Sequence, residues 1–273
     1  MSMEVPETVV TPLQQQYLKK HRQHHLFVAV CRLLGFLLIL TVWELSSDFQ
    51  LIDSFIFSCP SQIVLCFREL MVDGIIFHHI GITLYETIVS FLLVILISIL
   101  MAVLLWTFRY LSEILDPYMV VLNSLPKSAL APLLIVWLGA NRTTIIVAGM
   151  SVAIFGSILS LYTSFISVDP EKIKLIYTLH GTKFHALTKV VLPASLPAII
   201  NIMKVNIGLC LVGVIIGEFL AARSGLGYLI IYSSQVFKMD HLLMSICLLC
   251  LMAMLLYALI NALEKWYLAC QHR

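Results

Sequence analysis

Three ionisable residues stand in otherwise apolar sequence: Glu86 in TLYETIVSF, Lys127 in LNSLPKSALAP and Glu218 in VIIGEFLA. A charged side chain at the centre of a bilayer costs roughly 2.5–3.5 kcal/mol on insertion scales, so each of the three must face protein or water. Glu86 and Glu218 have open roles as contacts along a solute path or gate. Glu218 could instead cap the backbone of the SGLGYL turn that follows it. Lys127 could counter an anionic solute, snorkel to an interface, or pair with either glutamate. Pro126 and Pro132 bracket Lys127 and predict an interrupted helix. Its freed backbone groups need protein or a water-filled cavity to satisfy them. Gly225 and Gly227, in ARSGLGYLI, predict a bend close to Glu218.

Metal and redox chemistry find little support. Cys247 and Cys250 share a helix face, but no histidine or carboxylate set accompanies them, and they read as small packing residues. His78 and His79 are adjacent and point to different faces of a helix. The seven cysteines are scattered and odd in number. No metal site is expected.

The elements that must position these residues are transmembrane helices. Of the 273 residues, 60% are hydrophobic and 12% charged, about half the charge of a soluble domain. Residues 87–108, 143–168 and 241–263 contain no Asp, Glu, Lys or Arg, and each exceeds the ~20 residues that a spanning helix needs. The expected fold is an all-α integral membrane domain of about six spans, at 26–45, 82–108, 114–138, 143–167, 194–220 and 241–263. A lead-in of residues 1–25 precedes the domain at 26–267, and a tail follows at 268–273. About 25 polar residues precede the first apolar run, which has no small-residue cleavage site after it, so the N-terminus does not read as a cleaved signal peptide. PSQIVLCFRELMVDG predicts a short amphipathic helix on the outer surface. Asn141-Arg142-Thr143 matches a glycosylation acceptor by coincidence. The net charge of +2 makes no case for nucleic acid.

Orientation follows from basic residues near the span ends. Ten fall on one side: Lys19, Lys20, Arg22, Arg109, Lys172, Lys174, Lys183, Lys189, Lys265 and Arg273. Four fall on the other: Arg68, Arg142, Arg223 and Lys238. Both termini and the loop at 168–193 are therefore expected in the cytoplasm.

That loop is unusual for so apolar a chain. Asp169-Pro170-Glu171 combines a capping aspartate, a proline at the first helical position and an acid in the first turn. Ile173, Ile176, Tyr177 and His180 then recur on one face. Gly181 is expected to end this helix in the left-handed conformation. Thr182 can cap a second short helix carrying Phe184, Leu187 and Val191, and Pro193 and Pro197 mark re-entry to the membrane. The product is a helix–glycine–helix elbow, either a lipid-surface connection or a docking knob for a cytoplasmic partner.

Gly181, nine residues and then VLP at 191–193 resemble the cytoplasmic loop motif of binding-protein-dependent ABC importer permeases, written EAA, three residues, G, nine residues, I-x-L-P. LNSLPKSALAPLLIVWLG (122–139), VLPASLPAI (191–199) and GEFLAARSGLGYLI (217–230) resemble the branch serving nitrate, taurine, alkanesulfonates and some pyrimidine precursors. The similarity covers roughly residues 50–263 and keeps motif order. One departure stands out: Leu175, Ile176 and Tyr177 occupy the Glu-Ala-Ala positions.

The resemblance implies a type I importer permease fold, with residues 170–190 as coupling helices in clefts of an ATPase dimer. Glu171, Ile173, Ile176, Tyr177, Gly181, Phe184, His185 and Pro193 would belong to that coupling site. Glu86, Pro126, Lys127, Pro132, Glu218, Gly225 and Gly227 would belong to the path or gate. ATP and Mg would be bound by the partner ATPase, with no cofactor on this chain and no enzymatic activity of its own. A second permease copy and an extracytoplasmic binding protein complete the expected assembly, in a bacterial cell membrane. A self-sufficient proton-coupled transporter using Glu86 and Glu218, and a membrane anchor without transport, are the alternatives. An inverted repeat would favour the former and none is seen; a broken third span argues against the latter.

Overall fold

The computed structural model describes residues 12–271, all helix and connecting turns with no strand among the described residues. Of the expected lead-in, residues 1–11 lie outside the described residues, and so do 272 and 273 of the expected tail. The chain divides into two compact units, one ending at Ile63 and one beginning at Val64.

In the first unit, α1 (Pro12–Asp48) carries the first expected span, and Val30–Asp48 is long and apolar enough to cross a bilayer. The short α2 (Ser54–Phe57) follows, and α3 (Pro60–Val72) begins where an amphipathic helix was expected. Glu44 near the end of α1 caps that beginning. It accepts the Ser61 hydroxyl at 2.6 Å and the Ser61 N–H at 3.1 Å, satisfying one of the donors every helix start leaves open.

The second unit contains α4 (Ile75–Thr107), α5 (Arg109–Ser124), α6 (Lys127–Leu138), α7 (Arg142–Ile166), α8 (Pro170–Thr178), α9 (Lys183–Ala186), α10 (Leu192–Ala221), α11 (Leu226–Gln235) and α12 (Met239–Gln271). Among the described residues, five helical stretches are long and apolar enough to cross a bilayer, six if the bent pair α5–α6 counts as one span. The six expected spans map onto these in order.

The centre of this unit is α4, α7 and α10 in mutual contact. Hydrocarbon solvates leucine as well as a protein core does, so association in a bilayer depends on close packing at small residues. Gly213 and Gly217, one turn apart in GVIIG, supply it. A Cβ on Gly213 would lie 2.8 Å from the Ala148 carbonyl oxygen and from Gly149 Cα. One on Gly149 would lie 2.7 Å from Ser90 Oγ. Two side-chain hydroxyls tie the same three helices: Ser157 donates to Asn206 Oδ1 at 2.8 Å, and Ser90 donates to the Ile146 carbonyl at 3.1 Å.

The third span is broken, but by one proline only. The α5 and α6 axes differ by 96° across Leu125 and Pro126. Leu125 takes an extended conformation (φ −62°, ψ 138°), as the residue before a proline must to avoid the ring. Pro132, expected to interrupt the span too, lies inside α6, which runs on through it.

Re-entry after the elbow also differs from expectation. Instead of a second short helix separate from the fifth span, α9, a single wide π turn (Leu187–Val191) and α10 form one stretch from Lys183 to Ala221. The Leu192 N–H reaches back five residues to the Leu187 carbonyl. The extra residue in that turn sits just ahead of Pro193, which has no N–H to donate and whose ring would strike the carbonyl four residues earlier in a regular helix. Widening the turn lets the helix continue. At the other end, α12 reaches Gln271, so residues 268–271 of the expected tail prolong the last helix.

Candidate functional site

The elbow is built as its residue types dictate at its start. Asp169 Oδ1 accepts the Glu171 N–H at 2.9 Å, Pro170 opens α8, and Glu171 stays exposed. The ending corrects the expectation for Gly181. The left-handed residue is His180 (φ 58°), not the glycine. The His180 N–H donates to the Tyr177 carbonyl at 3.0 Å and the Gly181 N–H to the Ile176 carbonyl at 2.8 Å, the paired closure of a Schellman ending. Gly181 is required for closeness: a Cβ there would stand 2.7 Å from the Ile176 carbonyl oxygen. Thr182 then caps α9 with His185. Thr182 N–H donates to His185 Nδ1 at 3.2 Å, and the Thr182 oxygen accepts the His185 N–H at 3.5 Å.

The expected apolar stripes divide between two environments. Leu187 and Val191 are buried with Ala102, Phe165 and Ile199, and Ile173 packs against that cluster. Phe184 is 69% exposed where Leu187 is 7%. Leu175, Tyr177 and Leu179 on α8 and its end are exposed as well. The outward surface of the elbow is therefore Leu175, Tyr177, Leu179 and Phe184, while Ile173 and Ile176 face inward, partly buried. Pro193 is exposed in the first turn of α10. Lys183 fixes the elbow to the rest of the unit, its ammonium donating to the Thr107 carbonyl at 2.5 Å and lying 5.7 Å from the centroid of Trp106. Thr107 is the last residue of α4, so a cation meets the negative end of a helix dipole.

At the opposite end of α10 lies a buried polar cluster. Glu218 is fully buried and accepts the Thr83 hydroxyl at 2.7 Å and the Gly227 N–H at 2.5 Å. Thr83 in turn accepts the Leu226 N–H at 2.8 Å. His79 Nδ1 lies 3.0 Å from both the carbonyl and the N–H of Gly225, and its ring stacks on Tyr228. Glu218 thus sits over the first turn of α11, where open N–H groups and the positive end of the dipole favour an acid. Of the two roles left open for Glu218, the geometry supplies the backbone cap. Gly225 adopts φ 123°, open only to glycine, and a Cβ on Gly227 would lie 2.7 Å from Glu218 Oε2.

Glu86, one turn beyond Thr83 on α4, is 1% exposed, and its carboxyl lies within hydrogen-bonding reach of the Glu218 carboxyl. Its charged neighbours are Glu218 and Arg142. It lies at a cavity of about 160 Å³ whose other walls include Arg142, Ile145, Ala221, Arg223 and Ser224.

Lys127 joins neither glutamate. Its ammonium donates to the Leu122 carbonyl at 2.5 Å and lies 5.2 Å from the centroid of Phe155, because the break at Pro126 frees carbonyls in the last turn of α5. Asn141 is the cap of α7, accepting the Thr144 N–H at 3.0 Å, so its side chain has a local structural use. Among the described residues no three His, Cys, Asp or Glu come together as a metal set. His79 and Thr83 have no signature in the sequence, since their partners lie 146 and 143 residues away. GVIIG does have one, the small-residue spacing of a helix contact.

Residues 94–268 match the family described as "Binding-protein-dependent transport system inner membrane component". The chain is 26% identical over 232 residues to the formylaminopyrimidine transport permease protein ThiX of Halalkalibacterium halodurans, covering 85% of this chain and 92% of that protein. It is 24% identical over 233 residues to the taurine transport system permease protein TauC of Escherichia coli, covering 83% and 84%. A solved structure of the MetNI methionine ABC transporter in inward-facing conformations shares its fold, with a TM-score of 0.63, 17% identity, and 71% of this chain and 96% of that one covered. With a matched region that takes in the elbow, the π turn and Glu218 with the start of α11, the chain belongs to the family of binding-protein-dependent transport system inner membrane components.

Proposed function

We propose that this chain is the membrane-spanning subunit of an ATP-driven importer, pairing with a second permease copy and carrying a small polar solute delivered by a binding protein. The observation that carries the reading is the elbow. Leu175, Tyr177, Leu179 and Phe184 form an exposed apolar surface on a segment that is otherwise tightly capped. Exposed apolar groups on a rigid, lysine-flanked frame suit insertion into a partner's groove. A push on that surface reaches α4 through Lys183–Thr107 and α10 through the continuous helix from Lys183. The chain has no G-x-x-x-x-G-K-[ST] run, so ATP chemistry falls to a separate subunit. The excess of basic residues around 168–193 favours a cytoplasmic elbow, with the Glu218 cluster toward the outside.

Docking here uses aromatic and aliphatic contacts in place of the missing Glu-Ala-Ala triplet. The relatives named for taurine and formylaminopyrimidine support a small polar organic solute. A self-sufficient proton-coupled carrier would need both carboxyls free to exchange protons, and Glu218 is held by Thr83 and Gly227. Affinity purification of the full-length chain from its own membranes tests the proposal. An ATPase subunit co-purifies with the native chain and is lost with Gly181→Pro; full recovery of the ATPase with that variant, transport intact, would refute the coupling role.

A further inference from the structure

Two buried carboxyls meet in the polar cluster remote from the elbow, and their contact requires one more atom. Glu86 and Glu218 are 1% and 0% exposed. Among the described residues no N–H or hydroxyl donates to either Glu86 oxygen, and the group its carboxyl reaches is the carboxyl of Glu218. Ionised carboxylates only accept, so this contact is a hydrogen bond only when one of the two carries a proton.

The bonds already made decide which one. Glu218 accepts the Thr83 hydroxyl at 2.7 Å and the Gly227 N–H at 2.5 Å, and such donors favour its charged form. Glu86 is therefore the protonated partner, its O–H donating to Glu218. Thr83 and Glu86 stand three residues apart on α4, so one face of that helix offers two donors to one carboxylate. Glu218 in turn holds the start of α11 through Gly227. A single proton thus completes a latch that runs from α4 through α10 to α11.

The proton also has a route to water. Glu86 lines the cavity of about 160 Å³, room for roughly five waters at about 30 Å³ each. Facing the pair are Arg142 from α7 and Arg223 from the α10–α11 turn, both exposed and neither in an ion pair with Glu86. From α4 itself comes His79, engaged by Gly225 and stacked on Tyr228 of α11. No ion pair replaces the proton when it leaves. The Glu86 O–H bond breaks, the proton passes to water in the cavity, and two carboxylates are left facing each other.

We propose that Glu86 and Glu218 form a one-proton site, loaded and unloaded through this cavity, whose proton latches α4 to the start of α11. The inference goes beyond the permease reading: the proton ties helices together and is neither the cargo nor the energy source.

The test uses the full-length chain in lipid nanodiscs, scanned from about pH 5 to about pH 10. One reading is the infrared carbonyl band of a protonated carboxyl. The other is amide protection at Leu226 and Gly227, normalised at each pH to the exchange rate of an unstructured peptide. In the native chain the band and the protection are lost together in a one-proton step as pH rises, protection falling about tenfold or more. Glu86→Gln, whose amide N–H donates at every pH, lacks the band and keeps the protection throughout. Absence of the band from the native chain, protection that is flat with pH, or a step that persists in Glu86→Gln overturns the proposal. Should Glu86→Gln fail to fold, the native chain decides alone. Band and protection lost in the same step support the proposal, and protection lost without the band overturns it. Neither reading needs an ATPase or a solute, so failure here leaves the permease reading standing.

Discussion

Lys183 donates its ammonium hydrogen bond to the carbonyl of Thr107, joining the elbow to the end of α4 across 76 residues of sequence. The bond gives the elbow two attachments to the unit, this one and the continuous helix into α10. A rigid body with two attachments transmits rotation as well as translation.

Lys183→Met should therefore uncouple without undocking. The lost cation–dipole contact is worth roughly 0.3–1 kcal/mol, too little to unfold the unit. Solute uptake should fall severalfold while ATPase recovery in affinity purification stays at the native level. Uptake assays beside quantified pull-downs check this.

The glycines of the α10–α11 turn should resist even alanine. Gly225→Ala places a side chain at φ 123° and within 2.6 Å of Glu218 Oε2, and Gly227→Ala brings one to 2.7 Å of the same oxygen. Strain of this kind costs about 1–3 kcal/mol per site, so the melting temperature in detergent should drop by several degrees. Gly208→Ala, inside α10 and meeting nothing within 4 Å, should leave it level or slightly raised.

Removing the cap itself should free the start of α11. Glu218→Ala leaves the Thr83 hydroxyl and the Gly227 N–H without their acceptor, at about 1–3 kcal/mol for each buried group. Hydrogen exchange at Gly227 should quicken by at least tenfold. Glu218→Gln, which keeps one acceptor oxygen, should fall between the two.

At the elbow, His180 and Gly181 should respond in opposite senses. His180→Gly relieves a left-handed side chain and should leave stability level or slightly raised. Gly181→Ala has no such backbone problem but drives a methyl against the Ile176 carbonyl, and should destabilise. Thermal melts of the two variants decide between closeness and backbone twist as the reason for glycine here.

Much of this was legible in the residues. Charge-free runs announced the spans because a bilayer tolerates little else, and Pro126 announced the bend because a residue before proline avoids the helical region. Asp169-Pro170-Glu171 announced α8 through capping chemistry that is local by nature. What escaped was settled at a distance or by competition. Phe184 and Leu187 sit three residues apart on one predicted stripe, yet only Leu187 meets Phe165 and Ala102, which come from other helices. Pro193 marks re-entry as a break before the fifth span because a regular helix resists it, and a single wide turn removes that conflict. Gly181 was placed one residue away from the left-handed position because both residues belong to the same closure. The partners of His79 and Thr83 were beyond any local pattern, and GVIIG carried its contact signal unread.

The central claim is that the exposed face of the elbow is gripped by an ATPase. A photo-reactive residue placed at position 184, 179 or 187 of the full-length chain in its own membranes reads this directly. Positions 184 and 179 should cross-link to a subunit carrying a G-x-x-x-x-G-K-[ST] sequence, and the buried position 187 should not. No ATPase cross-link from 184 or 179, or an equal one from 187, would contradict the account.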